Sequence, residues 1–129
     1  MERSLVLVKP DAVERNLVGE IINIYERAGL RVVNIRMEQV SQKKAVQHYK
    51  EHEGRDYFEG LIAYIRRSPL VALELEGENA IAIIRELNGA TKNPSEGTIR
   101  EKYALSFREN SVHASDSPES AEREMAIWF

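Results

Sequence analysis

The sequence contains no cysteine. That absence removes disulfide staples, thiolate nucleophiles and Cys-ligated zinc together. No apolar run approaches the roughly 20 residues that a helix needs to cross a bilayer, so no membrane span is expected. Positive charge is not in excess either: 18 Lys+Arg face 21 Asp+Glu, a formal charge of −3. That balance argues against a broad nucleic-acid or anionic-membrane surface. Met1-Glu2-Arg3 leads straight into a strand-like run without a basic leader, so no signal peptide and a cytoplasmic location are expected. The familiar phosphate and zinc signatures are missing too. There is no Gly-x-x-x-x-Gly-Lys-Ser/Thr loop, no Gly-x-Gly-x-x-Gly and no His-Glu-x-x-His.

What is present is a chain of 129 residues, 43% hydrophobic and 30% charged. By size it is one domain, 1–129, able to bury roughly two-thirds of its unfolded surface. Ser4 to Lys9 is short and β-branched and stops at Pro10, a buried strand. Leu17 to Ala28 carries Val18, Ile21, Ile22 and Tyr25 at helical spacing, with Gly29 at the C-cap. Arg31 to Val40 alternates, and predicts a half-buried strand with Val33, Ile35 and Met37 on one side. Ser41 is an N-cap for a helix through Ala45 and Tyr49, which Gly54 breaks. A second short helix spans Tyr57 to Arg67. Leu70 to Glu76 reads as a strand and Glu78 to Leu87 as a helix. Gly89 opens an irregular stretch to about Glu109, longer than ordinary connections and therefore expected to be functional. Ser111 to Ala114 is a short strand, and Ser117-Pro118 starts a last helix to about Ile127.

The order β-α-β-α-α-β-α-loop-β-α predicts an α+β fold, a ferredoxin-like sandwich with a four-stranded antiparallel sheet covered by helices. A small parallel sheet is the alternative, and only the ladder directions separate the two.

Three histidines are available for chemistry. His48 and His52 have the i, i+4 spacing of a two-histidine metal pair. No third ligand stands near them in sequence, so a solvated helix face is expected and no protein metal site. His113 lies at a strand end, just before a helix N-terminus, where unpaired amides and the helix dipole favour anions. A neutral imidazole there can attack phosphorus if a carboxylate orients its other nitrogen, and Glu124 on the following helix is the candidate. A satisfied structural histidine is the competing reading. Lys9 leaves the first strand and could place a point charge on phosphate. Arg85, Thr91, Thr98 and Arg100 could form a polyphosphate cradle, or an ordinary charged loop. Of Tyr57 and Phe58, one is expected to point inward and one outward to stack on a base.

Taken together, these stretches resemble a known family. Leu7-Val8-Lys9-Pro10-Asp11-Ala12, Pro94-x-x-Gly97-Thr98-Ile99-Arg100, Asn110-Ser111-Val112-His113-Ala114-Ser115-Asp116-Ser117 and the final Ser117 to Glu124 closely resemble the signatures of nucleoside diphosphate kinases. The resemblance runs in order along essentially the whole chain. It implies transfer of a γ-phosphate from a nucleoside triphosphate to a nucleoside diphosphate, by a ping-pong route through a phosphohistidine. It implies ATP, GTP, ADP, GDP and dTDP as partners, with Mg²⁺ carried mainly by the nucleotide phosphates. It also implies a homo-oligomer, a tetramer or hexamer built from dimers, acting on neither nucleic acid nor membrane. By the resemblance His113 is the phosphorylated residue, Glu124 its orienting carboxylate and Ser115 the hydroxyl beside them. Lys9, Tyr49, Arg55, Arg85, Thr91, Arg100 and Asn110 surround the phosphates and the sugar. Tyr57 stands where a stacking phenylalanine is usual, Phe107 takes the other face of the base, and Leu61 lines the same slot.

The chain also departs from the family pattern. Ala114 replaces the usual glycine after the histidine, which would be costly if that backbone needs φ > 0. The stretch from Thr91 to Arg100 is shorter than usual, in a loop that contributes to subunit contacts. Asp56 stands for a proline, Glu101-Lys102 stand for Gly-Asp, and the chain ends at Phe129 without an extension. Two further readings follow. One is an inactive nucleotide-binding or regulatory relative. The other is a ferredoxin-like single-strand-binding module, which would need aromatics interleaved with basic residues on a strand face.

Overall fold

A computed structural model describes all 129 residues. Four strands, β1 (Glu2–Val8), β2 (Arg31–Glu38), β3 (Leu70–Gly77) and β4 (Val112–Ala114), form one sheet in the order β2-β3-β1-β4. Every neighbouring pair is antiparallel, which excludes the parallel alternative. Seven helices surround the sheet: α1 (Pro10–Glu14), α2 (Val18–Arg27), α3 (Gln42–His48), α4 (Phe58–Ile65), α5 (Ala80–Asn88), α6 (Ile99–Tyr103) and α7 (Pro118–Trp128). A 3-10 turn, Lys50–His52, follows α3.

The central strands are apolar on both faces because helices cover both. Val6 and Val8 of β1 join Val71, Leu73 and Leu75 of β3 against Ile21, Tyr25, Ile84 and Ile99. Leu5 and Leu7 point the other way, with Leu70 and Ala72, onto Ala45, Ile62, Ile65 and Trp128. Period-two alternation thus divides one continuous hydrophobic run between two cores. The predicted caps are present: Ser41 Oγ accepts from Lys44 N at 3.1 Å and Ser117 Oγ from Ser120 N at 3.1 Å.

Three features differ from the sequence reading. β2 is an edge strand, and Ile35 and Met37 are 55% and 58% exposed rather than buried. Its register slips between Val32 and Asn34, so that Ile35 and Met37 stand opposite Leu73 and Val71, on the outer side of the strand pair where only one neighbour covers them. The long irregular stretch contains α6, with Thr98 as its cap and Ile99 as its buried anchor. A five-residue helix is too short to give a periodic signal. α1 escapes a periodic reading for the same reason.

Backbone strain sits at Ser111, not at Ala114. Ser111 has φ +76°, and Val112 N donates to Asn110 O at 2.9 Å across it, closing a three-residue turn. Buried Asp11 accepts from Ser111 N at 3.1 Å and from the Tyr64 hydroxyl, and Ser111 O accepts from Lys9 N at 2.9 Å. These bonds hold the strained residue where it feeds β4. Ala114 is an ordinary strand residue paired with Val6 and is not at positive φ.

Gly89 ends α5 at φ +85°, and a Cβ there would stand 2.4 Å from Thr98 Oγ1. Gly89→Ala is therefore expected to destabilise the protein by about 1–3 kcal/mol. Urea unfolding checks this, with the midpoint falling and the m-value unchanged.

Candidate active site

β4 runs antiparallel to β1, which sets His113 opposite Leu7 at the end of the sheet. Four residues after His113, Ser117 caps α7, so the helix turns back across the strand end and brings Glu124 onto the imidazole. His113 Nε2–H donates to Glu124 Oε1 at 2.5 Å. The same oxygen accepts from buried Ser115 Oγ at 3.2 Å, and Ser115 N is tied to Leu5 O at 3.1 Å. Glu124 is buried while His113 is half-buried and open on its other side. A carboxylate on Nε2 fixes the neutral tautomer with its lone pair on Nδ1.

A cavity of about 530 Å³ opens in front of His113, lined by Arg85, Thr91, Arg100, Ala114, Asp116 and Arg123 among others. A second cavity of about 510 Å³ shares Thr91 with it and is lined by Lys9, Tyr49, Tyr57, Leu61, Phe107 and Asn110. The first is mostly polar, with three arginines, Arg85, Arg100 and Arg123, and three carboxylates, Glu51, Asp116 and Glu124, in its wall. The second has an aromatic and aliphatic mouth, with Tyr57 and Phe107 43% and 64% exposed. Phe58 packs on the core beside Leu61, so the expected division of that aromatic pair holds.

Each predicted residue can be placed against this geometry. Lys9, Tyr49, Tyr57, Leu61, Arg85, Thr91, Arg100, Phe107, Asn110, His113 and Glu124 line one cavity or the other, and Ser115 stands behind Glu124. Arg55 does not join them: it is exposed on the turn before α4 and lines neither cavity. Thr98 leaves the cradle as well, because its hydroxyl caps α6 and donates to Ser95 O at 2.7 Å. Arg100 does line the cavity, but it also braces it. Its guanidinium donates to Gly89 O and to Val112 O, both at 2.7 Å, joining α6 to the end of α5 and to β4.

Several lining groups carry no sequence signal of their own. Arg108, Arg123 and Glu51 arrive through tertiary placement alone. Asp116 accepts from Ser120 Oγ at 2.7 Å, and that bond holds its carboxyl below the ordinary range.

His48 is the clearest correction. A solvated helix face was expected for it and His52, yet His48 is only 4% exposed. α3 ends at His48 and His52 falls in the 3-10 turn, so the pair does not share one helix face. His52 Nδ1 instead lies 2.8 Å from the Tyr57 hydroxyl, within hydrogen-bonding distance. The His48 ring stands edge-on to His113, with centroids 4.6 Å apart and planes at 84°. Ligand atoms of His48, His113 and Glu124 lie within 4.8 Å of one another, the composition of a zinc site. Protonation argues against that use. Trp128 Nε1–H donates to His48 Nδ1 at 3.2 Å, and an indole can only donate, so the proton of neutral His48 is on Nε2. A ring in that state offers no second lone pair to a metal. Nor do two imidazoles suit Mg²⁺, which prefers oxygen ligands.

Comparison with known proteins gives consistent matches. The family model described as nucleoside diphosphate kinase matches residues 2–129. The nucleoside diphosphate kinase of Clostridium perfringens is 59% identical over 132 aligned positions, covering 100% of this chain and 92% of that protein. That of Archaeoglobus fulgidus is 49% identical, covering 100% and 87%. A crystal structure of the Aquifex aeolicus nucleoside diphosphate kinase superposes with a TM-score of 0.94 at 35% identity, covering 99% of this chain and 94% of the other. No helix is long and apolar enough to cross a membrane.

Lys9 is buried, donates from Nζ to Asn110 Oδ1 at 2.9 Å and has its pKa pushed down to about 8, first by burial and then by Arg100. Below that pH it is cationic, and above it the charge is lost. Affinity for ATP is therefore expected to fall as pH rises through about 8. Lys9→Gln should bind more weakly at neutral pH and lose this dependence. Isothermal titration with a non-hydrolysable ATP analogue across that range checks both.

Proposed function

The chain belongs to the nucleoside diphosphate kinase family and transfers the γ-phosphate of a nucleoside triphosphate to a nucleoside diphosphate, and we propose that His113 carries the phosphate between the two half-reactions. The observation that supports this is the bond from His113 Nε2–H to buried Glu124, which leaves Nδ1 as the free nitrogen of a ring that lines the arginine-bearing cavity. Nδ1 attacks the γ-phosphorus of a bound nucleoside triphosphate. The bond from that phosphorus to the β–γ bridging oxygen breaks, and the nucleoside diphosphate leaves. A second nucleoside diphosphate then takes the phosphoryl group from Nδ1 in the reverse sense, a ping-pong cycle. Glu124 keeps the proton on Nε2 throughout and stabilises the positive character that develops on the ring.

Phosphoryl transfer asks the protein mainly for positioning and charge. Lys9, Arg85, Arg100, Arg108 and Arg123 line the two adjoining cavities. Mg²⁺ carried by the nucleotide phosphates would supply further neutralisation, since it needs few protein ligands. Tyr57 and Phe107 flank the adjoining slot for the base. Stacking accepts any base, since each has a π-face. ATP and GTP are then comparable donors, and ADP, GDP and dTDP comparable acceptors.

The assembly we favour is a homo-oligomer built from dimers, in the cytoplasm. β2 supports it: an edge strand with unpaired backbone groups and the exposed side chains Ile35 and Met37 is a surface that proteins ordinarily cover. An inactive relative would need Ala114 or the shortened stretch from Thr91 to Arg100 to disable the site. The ordinary strand backbone at Ala114 takes away the conformational argument for that reading.

Incubation with radiolabelled ATP is expected to put acid-labile label on His113 that chases onto added GDP or dTDP. His113→Gln should take up none, and labelling equal to wild type would remove His113 from the mechanism. Glu124→Gln is expected to slow phosphoenzyme formation by about 10²-fold or more, because an amide no longer holds the tautomer or the developing charge.

A further inference from the structure

α7 reaches His113 twice. Glu124 bonds the imidazole directly at 2.5 Å. One turn on, at the i+4 position on the same helix face, Trp128 is fully buried and its indole N–H meets His48 Nδ1 at 3.2 Å. The His48 ring in turn stands perpendicular to that of His113 at 4.6 Å. Four side chains therefore close a loop, from the helix through the carboxylate to one imidazole, across to the second imidazole, and back through the indole to the helix. Trp128 also packs on the core with Leu5, Leu7 and Ala45, so the far end of the loop is anchored in the sheet.

We propose that His48 and Trp128 are positioning residues for His113: the indole fixes the tautomer of His48, and the locked His48 ring holds the plane of His113 so that Nδ1 stays aimed at the phosphate while Nε2 stays on Glu124. The proposal rests on the reading of His113 as the phosphate carrier. It has a geometric part and an electrostatic part. Geometrically, attack on phosphorus is sensitive to displacements of about 1 Å, and a ring bonded at only one nitrogen can still swing about that bond. The perpendicular contact removes this freedom. Electrostatically, an N–H aimed at Nδ1 opposes protonation of His48, since both groups would then present hydrogen to each other. The groups facing His48 are His113 from β4, Arg123 and Glu124 from α7, Lys9 from the end of β1, and Tyr49 and His52 following α3. Burial first, and then the cations among these groups, oppose an imidazolium at position 48, and Glu124 alone favours one. The indole bond adds to the opposition and keeps a second positive ring away from the nucleophile.

The test measures single-turnover phosphoenzyme formation from radiolabelled ATP, as a function of ATP concentration and pH, in the full chain. Trp128→Phe keeps an aromatic ring in the core while deleting the indole N–H and trimming the side chain, so the pH profile is the readout that separates the lost bond from lost packing. Its maximal rate is expected to fall about tenfold, with half-saturating ATP unchanged, because the ring is misaimed while the phosphate cradle is intact. Its acid limb is expected to move to higher pH, because His48 is freed to accept a proton. His48→Gln can accept from the indole and donate on its other side, so it should retain more activity than His48→Leu. A Trp128→Phe protein with wild-type rate and pH profile overturns the proposal, as does a rate loss with the pH profile unmoved. If Trp128→Phe does not fold, equal rates for His48→Gln and His48→Leu overturn it, and a higher rate for His48→Gln supports it. Peptide mapping of labelled wild type separates the two levels of argument. Label elsewhere than His113 defeats the carrier reading itself, while label on His113 with an unaffected Trp128→Phe defeats only the positioning role.

Discussion

The buried carboxylate of Glu124, bonded at one oxygen to both His113 Nε2 and Ser115 Oγ, is the interaction around which this end of the molecule is organised. A charge taken out of water costs several kcal/mol unless close partners replace its hydration. Here the partners come from a strand and the residue just beyond it, and the carboxylate comes from the helix that follows. β4 and α7 must therefore meet at a fixed angle, which the Ser117 cap and Pro118 at the start of α7 set. The constraint propagates backward too. β4 is only three residues long, and it is aligned on β1 through the strained turn at Ser111, itself held by Asp11 and the Lys9 backbone. Lys9 is thus placed by the same contacts that deliver His113. Strain stored beside a reactive group and offset by surrounding hydrogen bonds is a common arrangement.

A net charge of −3 and a site for polyphosphate coexist because three arginines converge on a cavity whose carboxylates Glu124 and Asp116 are already hydrogen-bonded to His113 and Ser120. Arg3, Arg66 and Arg67 are spent on surface contacts, with Glu74 and Glu76, with Gln42 and the Val40 carbonyl, and with Glu14 and Glu109 respectively. Arg85, Arg100 and Arg123 instead face one cavity with Lys9 at its neighbour. Arg100 illustrates the economy of the design: two of its donors brace the walls of the cleft while its charge remains at the cavity.

Much of this was legible in the residues, for identifiable reasons. β1, β3 and α7 announced themselves because buried strands need apolar runs and because Ser117-Pro118 is an unambiguous helix start. His113, Glu124 and Lys9 were legible through their place at element ends together with a family resemblance. The errors have physical causes as well. The exposure of Ile35 and Met37 follows from an edge position, which leaves no mark in the alternation of β2. Arg55 is a different case: the resemblance alone names it, and the turn that carries it is exposed and outside both cavities. His48 was misjudged because its partners, Trp128 and His113, are 80 and 65 residues away in sequence and only the fold brings them together. Ala114 was suspected of backbone strain that in fact sits three residues earlier, at Ser111.

The central claim is that Glu124 holds one imidazole nitrogen of His113 and so assigns the chemistry to the other. NMR of the phosphoenzyme, made from protein labelled with ¹⁵N-histidine, tests this most directly through the one-bond coupling between phosphorus and nitrogen. The account predicts coupling to Nδ1 of His113, with Nε2 still protonated and bonded to Glu124. Phosphate on Nε2 would contradict it, because that nitrogen could be reached only by breaking the bond on which the site is built.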